Sequence, residues 1–242
     1  MSDLREFLSE HYACLWQGAI GEIRAGKVEI DAILASGQAD RRRGLTVIAR
    51  PSPEVQERVM GFLEALRRID PEQYYYEPSE LHVTFLSLFT ATVEHERFFA
   101  RREAYLSAVD AALSQVPAFK IEFTGVTVSR GAVMIQGYPQ NGILNTARDR
   151  LRAELRQRGL VEGLDGRYRL ETAHMTAARF RRGLQNSHHF AVALETHRHH
   201  VFGQSHVSGL DLVRNDWYMS RQNVCRMKAY ELIRQGRVPP RP

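Results

Sequence analysis

Two stretches, PSELHVTFLSLF over residues 78–89 and ETAHMTAARF over residues 171–180, carry one pattern: His, an apolar residue, then Thr, inside an apolar run. The first copy is His82-Val83-Thr84 and the second is His174-Met175-Thr176. Side chains alternate between faces along a β-strand, so residues i and i+2 share a face. Each stretch therefore predicts a strand that buries Val83 or Met175 and offers an imidazole and a hydroxyl on its other face. Two such strands predict a cleft in which two imidazoles and two hydroxyls face each other.

One copy alone would carry little weight. The chain has ten histidines, and His206-Val207-Ser208 fits the pattern too. The flanking sequence separates them. Leu45 to Arg50 reads as a strand, and Ser52-Pro53 opens a helix with Val55, Val59, Phe62, Leu63 and Leu66 on its apolar face. The first motif follows on a strand from Leu81 to Phe89, then a long helix over 94–115 and a strand from Phe119. The order then repeats. Ala132 to Tyr138 is a strand, and 143–158 a helix with Leu144, Ala147, Leu151 and Leu155 inward. The second motif strand spans Ala173 to Phe180, followed by a helix from Ser187 and a strand over Val207 to Val213. Each His-x-Thr occupies the same slot of this duplication; His206 does not. A last strand is read from Val224 to Glu231.

The 242 residues carry a net charge of +5, are 43% hydrophobic and 25% charged, and contain two distant cysteines. This is ordinary for a globular protein and gives no disulfide framework or cysteine metal site. No apolar run reaches membrane-spanning length, and MSDLREFLSE is too charged to read as a signal peptide, so a cytoplasmic location is expected. The cations are mostly arginine, which suits bidentate phosphate binding.

With the strand-then-proline start LTVIARPSPEV, the approach PSELHVT and the second motif HMTAARF, the chain resembles the two-histidine phosphoesterase superfamily over Leu45 to Glu231. That superfamily includes bacterial 2′-5′ RNA ligase-like proteins and cyclic phosphodiesterases. The resemblance implies an α+β fold of two pseudo-symmetric α/β lobes, with antiparallel sheets flanking a central cleft and both motifs on its floor. It implies metal-independent chemistry on a phosphodiester of RNA ends or small nucleotides. Residues 1–44 form a helical extension outside the common pattern, 45–236 the bilobal domain, and 237–242 a flexible tail.

Histidine suits proton transfer near neutrality, and two imidazoles across one phosphorus can act as base and acid. His82, Thr84, His174 and Thr176 are the expected catalytic set, the hydroxyls donating to non-bridging oxygens. A bell-shaped pH dependence with both limbs near neutrality follows. Arg179 is a candidate phosphate or base contact, although alternation from His174 puts it on the opposite face. Tyr76, sharing a face with Tyr74, is a candidate stacking contact to a nucleobase, against simple packing at a strand edge. Trp217 has the same two readings. The cluster His197, His199 and His200 matches no metal-site spacing and reads as solvated. No metal or cofactor is expected, and a monomer with a nucleotide or RNA-end substrate and no obligatory protein partner is. A non-catalytic nucleotide- or RNA-binding module and a sugar mutarotase-like acid–base catalyst are the alternatives. Pure binding needs no paired acid and base, and ring opening needs no phosphate contacts.

Overall fold

The two histidine motifs open equivalent strands of two antiparallel sheets. The computed structural model describes residues 2–166 and 169–234. The tail expected over 237–242 lies outside the described residues. In chain order the elements are α1 (Ser2–Arg24), α2 (Ala32–Ser36), β1 (Arg43–Ala49), α3 (Pro53–Ile69), β2 (Tyr74–Tyr75), β3 (Val83–Thr92), α4 (Glu96–Phe99) and α5 (Arg102–Leu113). Then come β4 (Phe119–Ser129), β5 (Ala132–Pro139), α6 (Ile143–Gln157), β6 (Met175–Arg179), α7 (Ser187–Thr196), β7 (Val201–Val207), β8 (Gly209–Asn215) and β9 (Cys225–Glu231).

One sheet has the order β3-β1-β8-β9 and the other β2-β6-β5-β4-β7. Laid over each other, β3 matches β6, β1 matches β5, β8 matches β4 and β9 matches β7. The duplication is thus real, but its halves are interleaved. The strand closing the first unit, β4, belongs to the second sheet, and β8 from the second unit belongs to the first. The helices cross in the same way: α3 packs on β6 and β7, while α6 packs on β3 and against α5. The apolar faces read from the sequence are the ones buried, with Val55, Val59, Phe62, Leu63 and Leu66 of α3 and Leu144, Leu151 and Leu155 of α6 in the shared core.

Two features depart from expectation. The long helix over 94–115 is broken at Ala100 and Arg101. Phe98 and Phe99 both pack on Phe89, at ring-centroid distances of 4.5 and 5.3 Å, and Arg101 turns aside to donate to the carbonyls of Gly159 and Arg158. Packing and these hydrogen bonds outweigh local helix propensity. The strand expected over 207–213 corresponds to β8, and β7 before it is unexpected. β7 ends at Val207 and β8 begins at Gly209, so the chain passes from one sheet to the other at Ser208. β7 is an edge strand with Gly203, Gln204 and Ser205 at its centre, which hides its period. His206 lies on it, exposed, paired in register with Lys120.

Candidate active site

His82 and His174 each stand one residue before their strand, and Val83 and Met175 turn into the core at 2% and 0% exposure. The intervening face carries Thr84 and Thr176. Both strands then make the same irregularity. Thr84 pairs with Ile48 and Leu86 with Val47, leaving Phe85 extra; Thr176 pairs with Met134 and Ala178 with Val133, leaving Ala177 extra. A bulge adds a residue and reverses the alternation beyond it. After the bulge Ser87 and Arg179 return to the face of Thr84 and Thr176. Hence Arg179 faces the cleft, against simple alternation, and Ser87 is its counterpart on the other strand. His82, Thr84, His174, Thr176, Arg179 and Tyr76 line one cavity, joined by Ser87, Thr90 and Trp217.

The imidazoles are held differently. His82 Nδ1 lies 2.7 Å from the carbonyl oxygen of Glu80. A carbonyl only accepts, so this nitrogen carries the hydrogen and Nε2 presents a lone pair when the ring is neutral. His174 Nδ1 lies 2.8 Å from the Thr172 hydroxyl, which can donate or accept. Burial pushes both rings down to about 4. The Glu80 carbonyl partly opposes this at His82, and Arg148, His82 and Arg179 add to it at His174.

Arg179 donates its Nε–H to the Tyr76 hydroxyl at 3.0 Å. Among the described residues no carboxylate pairs with it, and Asp31 acts only at a distance. Tyr76 is 1% exposed, so its ring has no face for a base; its hydroxyl orients Arg179 instead.

Arg148, unexpected from the sequence, joins the two motif strands. It is fully buried on α6, yet all five of its N–H groups have acceptors. Nη2 donates to the carbonyls of Thr84 and Thr172 at 2.8 Å each, Nε to Phe85 at 2.7 Å, and Nη1 to Glu171 at 3.1 Å and to the Asn145 side chain at 3.1 Å. Burial, with Arg152 nearby, pulls its guanidinium down to about 9, so it stays charged at neutral pH. One side chain thus fixes Thr84 of the first motif relative to Thr172, the partner of His174. The loop carrying Trp217 is itself fixed by Asp216, whose carboxylate accepts from the backbone of Tyr218 and Ser220 at 3.2 and 2.9 Å.

The histidine cluster lies elsewhere, His197 packing on Phe62 and His200 on Phe202 at centroid distances of 4.9 and 4.8 Å. Among the described residues no three His, Cys, Asp or Glu side chains converge as a metal-ligand group, and no helix is long and apolar enough to cross a membrane.

Residues 51–216 match the model of a family described as the 2′-5′ RNA ligase superfamily. Among solved structures, TT0787 of Thermus thermophilus is similar with a TM-score of 0.56 at 19% identity, over 80% of this chain and 99% of that one. Apo LigT of E. coli gives 0.52 at 14%, over 81% and 99%, and its ATP complex 0.53 at 13%, over 79% and 99%. At these identities the likeness establishes the fold. No curated protein matches the chain in sequence.

Proposed function

We propose, for a chain that belongs to the 2′-5′ RNA ligase superfamily of two-histidine phosphoesterases, a metal-independent hydrolysis of a cyclic phosphate or 2′-5′ phosphodiester of RNA ends or small nucleotides. The observation that carries this reading is the single cavity lined by His82, Thr84, His174, Thr176 and Arg179. Its excess of positive charge suits a phosphate, and a guanidinium without a carboxylate partner is free to bind one. The structural relative LigT has been solved with ATP and with NADP+, which supports a nucleotide as the ligand class here.

The proposed step divides along the hydrogen bonds of the rings. His82, with its hydrogen on Nδ1, takes a proton from water through Nε2. The water oxygen bonds to phosphorus, the bond from phosphorus to the leaving oxygen breaks, and that oxygen takes its proton from Nε2 of His174. Thr84, Thr176 and Arg179 donate to the non-bridging oxygens, where charge accumulates. His174 must carry a second proton to act as acid. Its low proton affinity in the free protein rises when an anionic phosphate binds beside it.

The test is turnover of nucleoside 2′,3′-cyclic phosphates and of 2′-5′ and 3′-5′ dinucleoside phosphates by purified protein in excess EDTA. The expected product of at least one has the mass of substrate plus water or of its two hydrolytic halves. Failure on all of them, or loss of activity in EDTA restored by one divalent ion, would count against the proposal.

A further inference from the structure

Three adjoining cavities meet at Trp217. One of them holds both imidazoles. It shares Thr84, Ser87, Thr90, His174 and Trp217 with a cavity that continues to Asp165, Gly166 and Leu170. It also shares Arg179 and Trp217 with a third, of about 430 Å³. Most of the walls of this third cavity lie outside residues 51–216: Glu29, Ile30, Asp31 and Arg42 precede them and Trp217 follows.

These walls are built into the fold. The Glu29 amide donates to the Arg130 carbonyl at 2.7 Å, and the Asp31 amide to Phe180 at 2.8 Å, so the segment is tied to the β4–β5 turn and to the end of β6. The Asp31 carboxylate receives the Tyr218 hydroxyl at 2.6 Å and caps α2. Arg42 is held by Asp40 at 2.9 Å and lies over the Trp217 ring, 4.9 Å from its centroid. The segment before β1 thus bridges the two sheets at one end of the cleft.

We infer that the third cavity is a binding site for a second nucleoside, and that the substrate is a dinucleoside phosphate spanning all three cavities. Its phosphate would lie in the cavity that holds both imidazoles, against them and Arg179. Arginine planes and indole rings take nucleobases by stacking. Ile30, 46% exposed on the cavity wall, offers apolar contact, and Glu29 offers a carboxylate to ribose hydroxyls. A cyclic mononucleotide would leave one flanking cavity unfilled. In the reaction, which rests on the phosphodiesterase reading, water adds to phosphorus and the bond to one nucleoside oxygen breaks. That oxygen leaves protonated, giving one nucleotide and one nucleoside.

The test uses Ile30→Glu and Gly131→Leu, which crowd the cavity away from the imidazoles without adding a stacking plane. Ile30 is exposed, and a Cβ at Gly131 would meet nothing closer than 3.8 Å, so both variants should fold. The binding probe is a non-cleavable dinucleoside methylenephosphonate, compared with the matching mononucleotide. Wild type should bind the dinucleoside at least ~10-fold more tightly, and both variants should lose that advantage while their mononucleotide affinity stays within about twofold. With cleavable substrates, kcat/KM for the dinucleoside should fall ~10-fold and that for the cyclic mononucleotide should hold. Equal affinities in wild type, or equal losses on both probes, would overturn the inference. A dinucleoside advantage without any turnover would support the cavity and overturn the reaction alone.

Discussion

The Thr172 hydroxyl lies 2.8 Å from Nδ1 of His174, at the position where His82 meets a backbone carbonyl. A hydroxyl can donate to this nitrogen, which leaves the hydrogen of a neutral ring on Nε2, facing the cleft. We therefore expect imidazole ¹⁵N shifts to report the Nδ1–H form for His82 and the Nε2–H form for His174 at neutral pH. Thr172→Val should shift only His174 toward the Nδ1–H form. It should also slow turnover by up to the ~10²–10⁴ that one positioned proton-transfer group contributes. The same form for both rings in wild type would remove the proposed division of labour.

Arg148 should act on the site through geometry. Arg148→Met leaves the carbonyls of Thr84, Phe85, Glu171 and Thr172 without their donor, and each buried acceptor left unmade costs about 1–3 kcal/mol. Arg148→Lys keeps the charge but has three donors instead of five. Urea unfolding should rank wild type above Lys above Met, and the Lys variant should lose more in kcat than in KM. A folded Met variant with wild-type stability would mean that the clamp contributes nothing.

Both motif histidines bind protons more weakly folded than unfolded, about 4 against an ordinary 6.5. Between those values the unfolded chain takes up protons that the native site refuses, so stability rises with pH across this window. It is lost as pH falls from about 6.5 toward 4 and is unaffected by these groups above the window. His82→Asn with His174→Asn should therefore flatten the decline of the urea midpoint between pH 6.5 and 4. An unchanged slope would contradict the lowered proton affinity of the two rings.

The hydroxyls should matter to rate and little to folding. Thr84→Val and Thr176→Val keep the β-branched shape on the cleft face. Each should lower kcat by the equivalent of about 2–4 kcal/mol if the hydroxyl is an oxyanion donor. Wild-type kcat in both, measured beside an unchanged thermal midpoint, would assign the hydroxyls to structure.

Much of this was legible because burial imposes a period. Val83 and Met175 had to face a core, and that fixed the faces of both motifs. Arg179 was named as a contact, but alternation alone could not bring it to the cleft face, because a bulge at Ala177 leaves no mark in a run of small residues. Ser87 was missed for the same reason at Phe85. Arg148 does have a signal: with Leu144, Leu151 and Leu155 it shares one helical face, where a charged residue needs a reason. Tyr76 looked like a stacking platform because its ring burial depends on tertiary packing. The pH limbs that ordinary histidines would set near neutrality are expected lower, because no local pattern reveals how far a cleft wall desolvates a ring.

The most direct test is kcat and kcat/KM against pH for wild type, His82→Ala, His174→Ala and the double variant, on a phosphodiester that the wild type cleaves. Each single variant should fold and lose on the order of 10²–10⁴ in rate. The double should be little worse than the poorer single, because groups in one proton-transfer unit are not additive. With both free rings near 4, the optimum of kcat/KM should lie on the acid side of neutrality. The kcat optimum should lie at higher pH, since bound phosphate favours the protonated acid. Near-full activity in either single variant, with an unaltered pH profile, would contradict the two-histidine account.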